Sequence, residues 1–272
     1  MQQLASGKLI LDEPARNVAR IRISNPGKRG ALDHEILDAL ADTVRAQEAL
    51  CLVLTGDGPD FSSGYDIGNF PEPDFEDLGA DSFSDRAERL VAHPFVEAIE
   101  AIEDYEHVVL AAINGHAIGG GLEVAVSCDI RLVARGSKLG MPPAKIGLIY
   151  SHTGLRRFIR ACGTANTSEL FFVGANVTAD RAYDMGLVNE VVEPHALEAR
   201  SLELASAIGA NSPLSIKGNK AILRTLCAHA DSLPEDTARR LVRLRESCFT
   251  SADFVDGIRA FGEKREPTWT GR

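Results

Sequence analysis

Asn114-Gly115-His116-Ala117-Ile118-Gly119-Gly120-Gly121-Leu122-Glu123 follows directly on the apolar run Val108 to Ile113. A run of that length reads as a buried strand, and the carboxylate after the three glycines opens a helical pattern. Three glycines at a strand-to-helix junction leave backbone N–H groups bare at a helix N-terminus, where the dipole favours negative charge. Glu123 comes three residues after Gly120, one turn along the same helix face. An anion-stabilising donor and a proton carrier would then face one spot. The same residues also suit a plainer role: a first-turn glutamate favoured by the dipole, beside glycines that permit close helix packing.

Upstream, Leu52 to Thr55 reads as a buried strand, Gly56 to Asp60 as a turn, and Phe61-Ser62-Ser63-Gly64-Tyr65-Asp66-Ile67 as a loop returning towards a helix. This loop is either an ordinary turn or a second source of exposed N–H groups. Paired with Gly120 it would form an oxyanion hole, in which each well-aimed donor is worth ~3–4 kcal/mol to a developing enolate. Val18 to Ser24 alternates as a strand, Asp33 to Glu48 has helical spacing with an Asp cap, and Ile130 to Ala134 reads as a further strand. Strand and helix thus alternate as in stacked ββα units, an α/β fold. From about His195 only helical patterns remain, over Glu198 to Ile208, Pro213 to Ala228, Pro234 to Ser247 and Ala252 to Glu263. The expected organisation is a core over 1–195 and a C-terminal helical region over 196–272. Phe70 to Arg86, rich in Asp, Glu, Pro and Gly, precedes a helix expected from His93 and reads either as a lid or pocket wall or as a disordered surface insertion.

Taken in order, Asn25 to Leu32, Phe61 to Ile67, Asn114 to Glu123, Ser127-Cys128-Asp129, Ala182 to Val192 and Phe261 to Pro267 resemble the crotonase (enoyl-CoA hydratase/isomerase) superfamily over nearly the whole chain. The resemblance implies a crotonase-like spiral of ββα units whose C-terminal helices form trimer contacts, in a homotrimer or a dimer of trimers. It implies an acyl-CoA thioester whose oxygen is held by the backbone N–H groups of Tyr65 and Gly120 while the substrate passes through an enolate. Glu123 matches the first acid/base glutamate of the family. The second glutamate of the hydratases falls on Pro143 in the frame Leu139-Gly140-Met141-Pro142-Pro143, and proline has no proton to give or take.

Gly147-Leu148-Ile149-Tyr150-Ser151 is similar to the decarboxylating branch, as in the methylmalonyl-CoA decarboxylases, where a tyrosine matching Tyr150 enters the acyl pocket. Those decarboxylases tend to carry a histidine at the position of Tyr65. By the same resemblance Lys28 and Arg29 lie near the nucleotide, Ser63, Asp66 and Ile67 lie around adenine and pantetheine, and Phe261 and Lys264 reach a neighbouring subunit's ligand. Taken alone, Tyr150 also suits a strand-to-helix turn with its hydroxyl in water. His116 reads as structural, His34 as solvated, and His93 and His152 as neighbours of an acyl pocket.

Hydrophobic residues make up 44% of the 272 and charged ones 25%, the composition of an ordinary soluble globule. A net charge of −10 argues against nucleic acid, so CoA would depend on local cations. No run approaches the ~20 apolar residues of a membrane span, and Met1-Gln2-Gln3-Leu4 lacks the regions of a secretory signal, so the cytoplasm is expected. Cys51, Cys128, Cys162, Cys227 and Cys248 have no ligand spacing. They read as reduced thiols, with no metal site and no cofactor beyond the CoA of the substrate.

Pro143 and Tyr150 favour decarboxylation of a malonyl-type CoA, because loss of carbon dioxide generates the enolate without a base. Hydration or isomerisation through Glu123 is the alternative chemistry, and a non-catalytic acyl-CoA binder the alternative class.

Overall fold

The computed structural model describes residues 1–66, 94–230 and 232–270. The expectations for Ile67, for His93 and for the segment from Phe70 to Arg86 lie outside these residues.

A seven-stranded sheet runs in the order β1 (Gln2–Leu4), β2 (Leu9–Ala15), β3 (Val18–Ile23), β4 (Cys51–Gly56), β5 (Val108–Ile113), β7 (Ile130–Ala134) and β10 (Glu190–Val192). The first two pairings are antiparallel and the rest, from β3 onward, parallel. The parallel strands read as continuous apolar runs because both faces are covered. Leu52 and Leu54 of β4 join one core, and Cys51 and Val53 the other. Val109, Ala111 and Ile113 of β5 are set against Leu110 and Ala112 in the same way.

The first core is roofed by α1 (His34–Arg45), α2 (residues 94–104) and α3 (Gly120–Ser127). Asp33 caps α1 as its sequence implies, its Oδ1 accepting from the Ile36 N–H at 2.9 Å. The second face is covered by α6 (Leu197–Gly209) through Leu197, Leu202, Ala205 and Ile208. The first helix of the region beyond residue 195 therefore shares its packing with the sheet.

A second sheet of three short strands sets the position of the glycine helix. In it β6 (Ala117–Ile118) pairs parallel with β8 (Lys138–Gly140), which pairs antiparallel with β9 (Val177–Thr178). β6 leads straight into α3, and the Gly119 N–H donates to the Gly140 carbonyl at 2.8 Å. The far end of α3 is closed by Arg131. Its half-buried guanidinium donates to the carbonyls of Cys128 at 2.6 Å, Val126 at 3.2 Å and Leu187 at 2.8 Å.

α4 (His152–Ser168) and α5 (Ala179–Asp184) follow, then α7 (Pro213–Ala230), α8 (Glu235–Phe249) and α9 (Ala252–Glu263), close to the ranges expected from periodicity. One face of α7 is tied to the core. Lys217 pairs with Glu106 at 2.5 Å, Lys220 with Asp129 at 2.7 Å, and Arg224 with Asp104. Leu214, Ile222, Leu223 and Leu226 of the same helix are exposed. α9 docks on the turn Pro143–Ile146: a Cβ on Gly257 would lie 2.7 Å from the Ile146 carbonyl, so only glycine allows this approach. Among the described residues no helix is long and apolar enough to cross a membrane.

Candidate active site

A cavity of about 160 Å³ lies where the 61–66 loop, the N-terminus of α3, the turn after β8, the start of α4 and the helices α8 and α9 meet. Two glycines let the loop cross the helix end at contact distance. Gly64, at φ +99°, turns the loop so tightly that a Cβ would sit 2.7 Å from the Ile118 carbonyl oxygen and 3.3 Å from the Gly120 nitrogen. Gly121 gives room to Ser62, whose own Cβ would lie 2.5 Å from one placed there. Ser62 Oγ in turn donates to the Gly30 carbonyl at 2.7 Å and accepts from the Gly64 N–H.

The crossing brings the Tyr65 nitrogen to 3.4 Å from the Cβ position of Gly120. The Gly120 N–H opens α3 and meets no acceptor among the described residues. Both residues border the cavity. The Tyr65 and Gly120 backbone nitrogens named from the sequence thus lie close together at the edge of the cavity.

Glu123, one turn into α3, is 2% exposed and borders the same cavity. The Tyr150 hydroxyl donates to its Oε2, and Arg157 donates to its Oε1 at 3.1 Å. Arg157 is anchored on its other side by Glu103, in a bidentate pair at 2.8 and 2.9 Å. Burial raises the Glu123 pKa above the usual carboxylate range, against the opposing pull of the Arg157 charge and the two hydrogen bonds. Tyr150 is pushed well above the ordinary phenol value, first by burial and then by the adjacent carboxylate, so it is a hydrogen-bond donor and not a base. Its ring packs edge-on against Phe171. Of the two readings open for Tyr150 in the sequence, the hydroxyl directed into the site is the one observed.

Pro143 is buried and forms part of the cavity wall. The position where the resemblance places a second carboxylate therefore faces the cavity and holds a proline ring.

The residues expected around CoA divide into two groups. Ser63 borders the cavity, donates its Oγ to the Lys28 carbonyl at 3.0 Å and its N–H to the Arg29 carbonyl at 3.0 Å. Lys28 is paired with the buried Asp66 at 2.5 Å, and Arg29 with Asp60 at 2.9 Å, both cations remaining partly in solvent. One hydrogen-bonded unit therefore carries Lys28, Arg29, Ser63 and Asp66. Phe261 and Lys264 stand apart from it and do not border the cavity. Phe261 is 64% exposed on α9, and Lys264 forms the left-handed cap of that helix.

The histidines correct part of the sequence reading. His34, expected to be solvated, is exposed and also bonded through Nε2 to the Tyr65 hydroxyl, because α1 begins beside the loop that carries Tyr65. His152, one of two histidines that could touch substrate, opens α4 and does not border the cavity. His116 is structural as expected, its Nδ1 accepting from the Lys138 N–H. Arg157, Glu103 and Arg245, which also bears on the cavity, were missed. The signal for Arg157 was a charge on the stripe that Gly154 and Phe158 bury on α4.

Residues 13–272 match the family described as Enoyl-CoA hydratase/isomerase. The short-chain-enoyl-CoA hydratase of Clostridium acetobutylicum is 30% identical over 263 residues, covering 94% of this chain and 95% of that protein. The methylmalonyl-CoA decarboxylase of Escherichia coli is 29% identical over 239 residues, 87% of each chain. A solved methylmalonyl-CoA decarboxylase, in complex with 2-nitronate-propionyl-CoA, superposes with a TM-score of 0.86 at 27% identity, over 97% of this chain and 99% of the other. The paired N–H groups, the glutamate one turn along and the match across both sheets and the C-terminal helices have one source: this chain belongs to the enoyl-CoA hydratase/isomerase, or crotonase, family of acyl-CoA enzymes.

Proposed function

We propose that this enzyme decarboxylates a malonyl-type CoA thioester. The observation that carries the reading is Pro143 in the cavity wall, with Glu123 as the carboxyl group beside it. Hydration needs a water activated between two carboxylates, whereas decarboxylation needs an electron sink and, afterwards, an acid. The bond between Cα and the substrate carboxylate breaks, carbon dioxide leaves, and the electron pair passes into the thioester. The resulting enolate oxygen is held by the N–H groups of Tyr65 and Gly120. Glu123, its raised pKa favouring the neutral form, then gives its proton to Cα and recovers one from solvent. Tyr150 and Arg157 fix the orientation of the Glu123 carboxyl.

The CoA nucleotide is proposed to lie along the unit that carries Lys28, Arg29, Ser63 and Asp66, and the exposed apolar face of α7 to join copies into a trimer or a dimer of trimers. A second reading, hydration or isomerisation with Glu123 as the only carboxylate on the cavity among the described residues, is favoured by that group's position there. Mass spectrometry of an acyl-CoA pool containing methylmalonyl-CoA and crotonyl-CoA separates the two. Loss of carbon dioxide that persists at a reduced rate in Glu123→Gln and in Tyr150→Phe supports decarboxylation. Gain of water on crotonyl-CoA, abolished in Glu123→Gln, overturns it.

A further inference from the structure

Three ionisable side chains stand in a row at the edge of the cavity. Glu103, near the end of α2, holds the Arg157 guanidinium by Nε and Nη2 at 2.8 and 2.9 Å, and Arg157 Nη1 reaches Glu123 Oε1 at 3.1 Å. Side-chain exposure rises along the row, from 3% at Glu123 through 14% at Arg157 to 27% at Glu103. Arg157 and Glu123 border the cavity and Glu103 does not. Glu123 faces two further groups: the Tyr150 hydroxyl, which donates to its Oε2, and the charge of Arg245 from α8, which has a partner of its own within the chain.

Two carboxyl groups therefore divide one guanidinium between them, and the division is unequal. Glu103 accepts two parallel N–H bonds, the strong bidentate form, and keeps contact with water, whereas Glu123 accepts one and is sealed from solvent. Ionising the more deeply buried carboxyl carries the larger desolvation cost. We propose that Glu103 is a positioning residue of this site: it takes up the charge of Arg157 and leaves a single N–H aimed at Glu123, so that the proton of the cluster stays on Glu123. Without Glu103 the largely enclosed guanidinium keeps Glu123 as its one carboxylate partner among the described residues, and the two become a simple ion pair. This inference rests on the reading of Glu123 as a proton donor, but the protonation it concerns can be observed without turnover.

The test reads Glu123 directly, through the infrared C=O stretch of its protonated carboxyl in the full chain, identified as the band that Glu123→Gln removes. The band should persist to higher pH in the wild type than in Glu103→Gln or Glu103→Ala, and Glu103→Asp, which keeps the charge, should restore most of the difference. In an Arg157→Met background, Glu103→Gln should move the band little, because Glu103 acts through the guanidinium. The same Glu103 variants should leave KM for the acyl-CoA unchanged, since Glu103 lies outside the cavity. Their alkaline fall in kcat should begin at lower pH, which costs about tenfold at a fixed pH on that limb. A band that Glu103→Gln and Glu103→Ala leave in place or carry to higher pH overturns the proposal; with kcat lowered equally at every pH, the role of Glu103 would be merely structural. Absence of any band that depends on Glu123 overturns it together with the reading of Glu123 as an acid. A band that moves as expected while the pH–rate profile does not leaves the role of Glu103 standing and refutes only Glu123 as the proton donor.

Discussion

Burial takes the Glu123 carboxyl away from water and raises its proton affinity, while the charge of Arg157 and the hydrogen bond from Tyr150 act in the opposite sense. The neutral acid is therefore present below its raised pKa and is lost as the pH climbs through it. A decarboxylase that draws its final proton from Glu123 should lose rate on the alkaline side, whereas a hydratase using Glu123 as base should gain it there. Tyr150→Phe removes one of the influences that lower the pKa, so the alkaline fall in kcat should move to higher pH, as read from a pH–rate profile. Gly154→Ala tests the same contact sterically. A Cβ there would lie 2.5 Å from Tyr150 Cε1 and 2.9 Å from Glu123 Oε1. It should force the ring off the carboxylate, costing ~1–3 kcal/mol in thermal unfolding and at least about tenfold in kcat. Gly120 and Glu123 were singled out in the sequence because their relative placement is set by local spacing, whereas Tyr65 was named through the family resemblance. Glu103, Arg157 and Arg245 were legible by neither route, because they come from α2, α4 and α8 and meet only after those helices pack.

The strands Val108–Ile113 and Ile130–Ala134 and the helix Ala252–Glu263 fall where periodicity puts them, since each buries a continuous face long enough to leave a pattern. β6 and β9 have two residues each, too few for any period, so the small sheet that aims α3 was invisible in the sequence. So was the π-helical turn Glu169–Val173, which continues α4 and brings Phe171 against Tyr150. α9 is the element whose docking bears most directly on the cavity. Ser251 caps it, accepting from the Phe254 N–H at 3.0 Å, and Gly257 seats it on the Pro143–Ile146 turn. Gly257→Ala should lift α9 by the width of a methyl group, lower stability by ~1–3 kcal/mol and raise KM for acyl-CoA, because Phe254 and Ile258 move with the helix. Ser251→Ala should cost ~1 kcal/mol and change KM less, since it frays the start of the helix without displacing its seat.

At the scale of the whole molecule, α7 is pinned to the core by Lys217, Lys220 and Arg224 and turns Leu214, Ile222, Leu223 and Leu226 outward. Apolar side chains gathered on one exposed helix face favour a second surface that excludes water from them. Sedimentation equilibrium should give a mass of three or six times the 29.3 kDa chain, and Ile222→Asp with Leu226→Asp should reduce it. The same experiment bears on what the C-terminal helices do. α8 and α9 fold back over the cavity of their own chain, bringing Arg245, Phe249, Phe254 and Ile258 to it. The described lining of the cavity comes from one chain, so two defects in different copies are not expected to repair each other. Gly120→Pro, defective in the oxyanion hole, and Phe254→Asp, defective in the tail, should each be inactive, and mixed oligomers assembled from the two should show no complementation. Restored activity would mean that the tails are exchanged between neighbours. Its absence makes every copy an independent catalyst, whose dose in a mixed assembly is simply the number of intact chains.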